Sequence, residues 1–344
     1  MNKIYDVAII GGGLSGLLMA HLCARRGYTV VLCEAQDQVG GRCRIDTPKE
    51  SMQVPYGFNI HLFTKELCQA LELDFDLIDL KNLPPQTFQH KAWRDVASEE
   101  LSPEQKFYDL KNFNIVWDLL KIELPDTVHV ETSQPIGDSR IESSLLMEVS
   151  NSQKKWQAKA FVMACLSKDM LNIIPKENFH KKFLNAYNKQ ESVSAVKLDF
   201  ITDRRFCELQ NVLMSLDPVG VGIIASNFSN QFVPKGYELS QWLFFLTPEE
   251  LLDKEETAKK IRAGKRFMKK AFDGFLEHIV WERIAVLPHV FSQHPMELSE
   301  EWTALKNLFW VSDELGLPNE TGNPAIRNIL PTFEKLDRFL KTSF

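Results

Sequence analysis

Several things are missing from this 344-residue sequence. Its six cysteines, Cys23, Cys33, Cys43, Cys68, Cys165 and Cys207, form no C-x-x-C pair. So scattered a set suggests neither a zinc site nor a disulfide framework, and buried free thiols in a reducing compartment account for it. There is no excess of positive charge. Forty Lys and Arg stand against 46 Asp and Glu, a net −6, which excludes a general nucleic-acid binder. No apolar run reaches the length of a membrane-spanning helix. The first strand-like run starts within a few residues of Met1, leaving no room for a cleavable signal peptide ahead of it. A cytoplasmic protein is the expectation, and both peripheral membrane contact and a homo-oligomer are compatible with it. No metal site is expected.

What is present is ordinary in bulk and unusual at one end. Hydrophobic content of 44% and charged content of 25% suit a globular protein of two domains or one composite one. Near the start, the apolar run Val7-Ala8-Ile9-Ile10 leads into Gly11-Gly12-Gly13-Leu14-Ser15-Gly16. A helix-like stretch over Leu17–Ala24 follows, and then a second strand, Tyr28–Cys33, that ends at Glu34. This is a β-α-β unit with glycines where a dinucleotide needs them. Gly11 serves the turn, Gly13 lets the backbone approach a pyrophosphate, and Gly16 lets the helix pack against the sheet. The free amides at the helix start suit a diphosphate. Glu34, 18 residues beyond Gly16, can accept hydrogen bonds from a ribose hydroxyl pair.

An acid at that position serves NAD or FAD equally. Val39-Gly40-Gly41-Arg42 points to FAD, since a second glycine pair can fold back over the diphosphate while the guanidinium neutralises its charge. With these residues in this order, the chain resembles the FAD-dependent amine oxidase superfamily, which includes monoamine oxidases, protoporphyrinogen oxidases and phytoene desaturases. The resemblance implies a Rossmann-like α/β FAD-binding domain that is discontinuous in sequence, residues 1–80 with 126–170 and 295–344. A second α+β domain built on an antiparallel sheet, residues 81–125 with 171–294, would cap it. It assigns cofactor contacts to Gly11, Gly13, Leu14, Ser15, Gly16, Glu34 and Ala35 in the opening unit, and to Gly40, Gly41 and Arg42 after it. Gly57, Phe58 and Asn59 would lie beside the flavin ring. Further contacts fall to Gln134 near the adenine, to Asp313 on the ribityl chain, and to Ala325 in a final helix near the pyrimidine end.

The sequence departs from the family pattern at Pro55, where an acid is usual, at Gln134 in place of valine, and at Ser312 in place of the glycine before Asp313. The helical substrate subdomain is cut to a few tens of residues in 81–125, with one helix expected around Phe107–Leu120. The pocket is therefore small or open, or another chain closes it. His61 reads as a packed or surface residue rather than a catalytic one. Residues 190–245 read as an antiparallel sheet with strands at Val193–Phe200, Gly220–Ala225 and Gln241–Leu246, and residues 247–280 as one helix with acids first and bases later. Lys197 sits on the first of those strands, nine residues before Phe206. The resemblance implies that such a lysine holds a water near flavin N5, and Lys197 is the one catalytic candidate. The function implied is hydride transfer from a C–H bond of a small amine or isoprenoid-like substrate to flavin N5. The alternative is an FAD-binding protein with a structural or partner-binding role and little turnover.

Overall fold

A computed structural model describes residues 3–57, 62–63, 65–72, 78–79, 83–106, 114–115, 124–293, 296, 302–316 and 324–343. In chain order, β1 (Ile4–Ile10), α1 (Leu14–Arg25) and β2 (Val30–Cys33) come first, then the hairpin β3 (Ile45–Lys49) and β4 (Met52–Pro55). Next are β5 (Leu62–Phe63), α2 (Lys65–Leu71), β6 (Ile78–Asp79), β7 (Gln86–Gln89), β8 (Ala92–Asp95), α3 (Pro103–Lys106) and β9 (Asn114–Ile115). The middle of the chain holds β10 (Val128–Glu131), β11 (Asp138–Glu142), β12 (Leu145–Ser150), β13 (Lys155–Met163), α4 (Ser167–Ile173) and α5 (Lys181–Tyr187). It continues through β14 (Ser192–Thr202), β15 (Leu213–Leu216), β16 (Val219–Ile224) and β17 (Glu238–Leu246). The remainder is α6 (Pro248–Leu252), α7 (Lys254–Ala271), β18 (Ile279–Ser292), β19 (Leu308–Trp310) and α8 (Pro324–Ser343).

The first sheet runs β10-β2-β1-β13-β12-β11, with β19 also on β13. β10, β2, β1, β13 and β19 are parallel, while β12 and β11 turn back as a meander. Parallel strands are buried on both faces, which is why Val7–Ile10 and Val30–Cys33 are apolar throughout rather than alternating. Val7, Ile9, Val30, Leu32, Ala160 and Val162 face the core that α1 and α8 cover. Ala8, Ile10, Val31, Phe161 and Met163 face the opposite core, closed by β12 and α4.

The second sheet runs β18-β14-β17-β16-β15-β7-β8. It is antiparallel except where β15 meets β7, a parallel pair that the sequence did not suggest. Val196, Leu198, Phe200, Trp242 and Phe244 pack under Phe267, Met268, Phe272 and Phe275. The opposite face, with Ala195, Ile201 and Leu243, packs on Met52 and Val54 of the β4 hairpin strand. The polar side chains between those apolar rows therefore point at the segment that follows Gly40-Gly41-Arg42.

Two expectations change. Asn114–Ile115, inside the stretch expected as a helix, form a strand with β5 and β6, and the rest of Phe107–Leu120 lies outside the described residues. The single helix over 247–280 is two, because each half carries its own N-cap. Thr247 forms a capping box with Glu250 behind Pro248, and the Asp253 carboxylate, in extended backbone, accepts from the amides of Glu255 and Glu256. An Asp that caps cannot also continue the preceding helix. Beyond them, Ile279–Ser292 is a 14-residue strand at the sheet edge, where the sequence carries no expectation past residue 280. Among the described residues, no helix is long and apolar enough to cross a membrane.

Candidate cofactor and active site

The opening loop is built by close packing. A Cβ on Gly16 would sit 1.9 Å from the Gly11 carbonyl oxygen, so α1 starts directly against the turn only because glycine is there. Gly11 has its amide on the Cys33 carbonyl at 2.8 Å. Leu14 and Ser15 open α1, and no side chain caps its N-terminus, which leaves backbone donors for an incoming anion. Gly13 behaves differently from Gly16: a Cβ there would meet nothing within 4 Å. The space in front of Gly13 is open, as a pyrophosphate requires.

Glu34 ends β2 next to this loop. One carboxylate oxygen accepts from the Gly12 amide at 2.6 Å and the other from Gln36 at 2.8 Å. Each carboxylate oxygen can accept more than one hydrogen bond, so the pair remains able to take ribose hydroxyls, with Ala35 exposed beside it. Gln134 is brought close as well, its amide donating to the Glu34 carbonyl at 2.9 Å. That amide is used within the protein, so any adenine contact at Gln134 falls to another group. Its side-chain oxygen accepts from Asn151. A cavity of about 340 Å³ adjoins this turn, lined by Ser133, Pro135, Gly137, Asn151, Ser152 and Gln153.

The second glycine pair does fold back. Gly40 donates to the Gly12 carbonyl at 2.7 Å, and a Cβ on Gly41 would lie 3.1 Å from the Gly13 Cα. Gly41 has φ +52, a second reason for glycine there. Arg42 then reaches Asp313, with its guanidinium 3.0 Å from Oδ2, and donates to the Val290 carbonyl at 2.6 Å. Asp313 is buried. Burial alone would raise its pKa, but the Arg42 charge and a 3.0 Å hydrogen bond to His289 hold the carboxyl far below the usual range. His289 in turn contacts the Ser192 hydroxyl at 2.8 Å. Ser312 is buried, its hydroxyl accepting from the Glu314 amide at 3.3 Å.

Gly57 is buried with its amide on the Arg42 carbonyl, and Gln241 donates to its carbonyl at 3.3 Å. Phe58, Asn59 and His61 lie outside the described residues. Ala325 is in the first turn of α8, and Asn328 of that helix ties back to the Leu315 carbonyl at 2.8 Å, two residues after Asp313.

Lys197 is not a solvated strand lysine. It is fully buried and ion-paired to Asp199, two residues along the same face of β14. Burial lowers its pKa to about 8, with Asp199 opposing that shift. Arg283, opposite Asp199 on β18, donates to it at 2.7 Å and also pairs with Asp46 and the Pro55 carbonyl. Gln241, opposite Asp199 on β17, donates to the Asp199 carboxylate and the Pro55 carbonyl, each at 3.1 Å. Asp199, Arg283, Gln241 and His289 were not picked out from the sequence. The one signal in it was alternation along β14, which puts residues 197 and 199 on one face.

Comparisons with known proteins bear on the opening unit and on the fold. Residues 9–71 match the family described as NAD(P)-binding Rossmann-like domain. The chain is 21% identical to a UDP-galactopyranose mutase of Mycoplasma pneumoniae, over 39% of this chain and 34% of that protein. It is 36% identical to a flavin-containing monoamine oxidase A of Dictyostelium discoideum, described as probable, over 21% of this chain and 16% of that protein. With amine oxidase B of Cavia porcellus it shares 52% identity, over 12% of this chain and 8% of that one. The chain thus spans about a third or less of the length of these relatives. Solved structures match across nearly all of it. Cyclohexylamine oxidase from Brevibacterium oxydans IH-35A has a TM-score of 0.70 at 11% identity, covering 98% of this chain and 100% of that one. An oxidoreductase from Methanosarcina mazei has a TM-score of 0.72 at 12% identity, covering 95% and 100%. Residues 9–71 thus match a nucleotide-binding Rossmann-like family, and the overall fold is shared with these solved structures.

Proposed function

We propose that the protein binds FAD and acts as an FAD-dependent oxidoreductase, with a small amine or isoprenoid-like molecule as the hydride donor. The observation that carries this reading is the clamp of Gly40-Gly41 over the open face of Gly13, with Arg42 held on Asp313 beside it. A nicotinamide-only enzyme has no need of that second element. When bound, FAD supplies the hydride acceptor at its N5.

The chain's own groups bind and orient. The α1 amides and Arg42 would take the diphosphate, Glu34 the adenosine ribose, and Asp313 the ribityl hydroxyls. Gly57 supplies backbone at the ring. Lys197 would supply a buried cation to the site, positioned by Asp199, with its pKa lowered by burial to about 8. The Gln241 bridge from Asp199 to the Gly57 carbonyl supports that placement. Phe245 and Leu243 on the same sheet help exclude water.

The purified protein should show flavin absorbance, or acquire it when FAD is added and excess is removed. A colourless protein that takes up no FAD sinks the reading. After anaerobic photoreduction, reoxidation by oxygen or an artificial acceptor indicates an enzyme. A flavin that never exchanges electrons indicates the structural role instead.

A further inference from the structure

Four cations gather around the β3–β4 hairpin, and three acids answer them. Asp313 takes Arg42, while Asp199 and Asp46 between them take Lys197 and Arg283. Arg44 is left over. Its guanidinium lies 4.1 Å over the ring of Tyr56, and the same ring carries Arg283 at 5.0 Å. Arg283 is neutralised by two carboxylates. Among the described residues no carboxylate pairs with Arg44, and its Nε is buried without a hydrogen-bond partner.

We infer that Arg44 and Tyr56 form an oxyanion subsite that takes a carboxylate carried by the substrate. A buried cationic N–H with no acceptor costs folding free energy, and an incoming oxyanion removes that cost. The planar guanidinium fork matches a carboxylate with two parallel hydrogen bonds, and stacking on Tyr56 holds the fork in place. The subsite is near the proposed chemistry. The Arg44 carbonyl accepts from the Tyr56 amide at 2.8 Å, and Tyr56 leads directly into Gly57. Calling the anion a substrate group rests on the flavoenzyme reading. The other source of an oxyanion, the FAD diphosphate, already has the uncapped α1 N-terminus and Arg42.

The test is calorimetric titration with sodium benzoate, on FAD-saturated and on FAD-free protein, for wild type, R44Q and R44K. Benzamide serves as the uncharged control. FAD affinity is measured separately for each protein by fluorescence quenching. Benzoate should bind wild type and weaken about tenfold or more in R44Q, with R44K between them. Benzamide should not distinguish the three, and FAD affinity should stay within about twofold. Equal benzoate binding by R44Q overturns the inference. So does a loss of FAD affinity that matches the loss of benzoate, because the anion is then the cofactor's own. Melting curves check that R44Q is folded; if it is not, the wild-type to R44K ratio decides. If wild type takes up no FAD, the flavoenzyme reading fails, and the FAD-free titration still decides Arg44.

Discussion

Arg42 and Asp313 are 271 residues apart in sequence and 3.0 Å apart in the fold. The contact joins the element just after the glycine-rich unit to the loop that follows β19, and would close the proposed cofactor site from both ends of the chain. Asp313 is fully enclosed, while the Arg42 side chain is 45% exposed.

The pair should therefore matter more for cofactor than for folding. D313A frees Arg42 to be hydrated and removes the hydrogen bonds that the carboxylate accepts from Arg42 and His289, each charge-assisted one worth about 1.5–3 kcal/mol. FAD affinity should drop about tenfold or more, as read by fluorescence titration. An unchanged FAD affinity would remove Asp313 from the site.

Gly13 and Gly16 should separate binding from stability. G16A drives a Cβ into the Gly11 carbonyl and should cost about 1–3 kcal/mol or more in chemical denaturation. G13A meets open space and, at an extended N-cap position, should cost no more than about 1 kcal/mol. It should nevertheless abolish FAD uptake. If G13A binds FAD like wild type, the diphosphate does not lie where the loop suggests.

Lys197 and Asp199 should behave as a unit. D199N leaves a buried ammonium without its counter-ion and should destabilise by about 3–5 kcal/mol. Replacing both, as K197M/D199M, should recover much of that loss, because a buried pair gains little over apolar packing. Additive losses in a double-mutant cycle would show that the two do not interact. The folded-state pKa of Lys197 is depressed, so the folded protein binds fewer protons than the unfolded chain between about pH 8 and the lysine's ordinary 10.5. Stability should rise with pH across that window, and K197M should remove the rise.

Glu238 offers a second pH test away from the site. Its Oε2 accepts from the amides of Phe206 and Cys207, while Oε1 is buried without a partner. Burial pushes its pKa up to about 7, against the backbone hydrogen bonds. The folded state then holds a proton that the unfolded chain has lost, so this group's contribution falls as pH rises from about 4.5 to 7. E238Q keeps an acceptor for both amides and should stabilise the protein at pH 8 by about 1–3 kcal/mol, as measured by urea denaturation. No gain at pH 8 would mean that Glu238 is solvated after all.

The β1–α1–β2 unit, Glu34 at its end and the return of Gly40-Gly41 were legible in the sequence. Each depends on spacing within about forty residues, and close backbone approach leaves glycine as the residue that fits. The apolar strands of both sheets were legible for a similar reason, since burial on two faces leaves little choice of side chain. The edge strand β18 was not. Its residues alternate between exposed and half-buried from Trp281 to His289, but apolar Ile284 and Val286 stand on the exposed face and Arg283 on the other, so residue type does not follow the alternation.

What tertiary structure alone decided is which charge meets which. Sequence could place Lys197 on a strand and Arg42 after a glycine pair. It could not say that Lys197 is enclosed with Asp199, that Arg42 goes to Asp313, or that Arg44 is left with an aromatic ring. Ion pairing depends on distance and burial, and here the partners come from β14, β18, the β3 hairpin and the loop after β19. Local pattern determines which element forms; the crossing of distant elements determines which carboxylate is within reach.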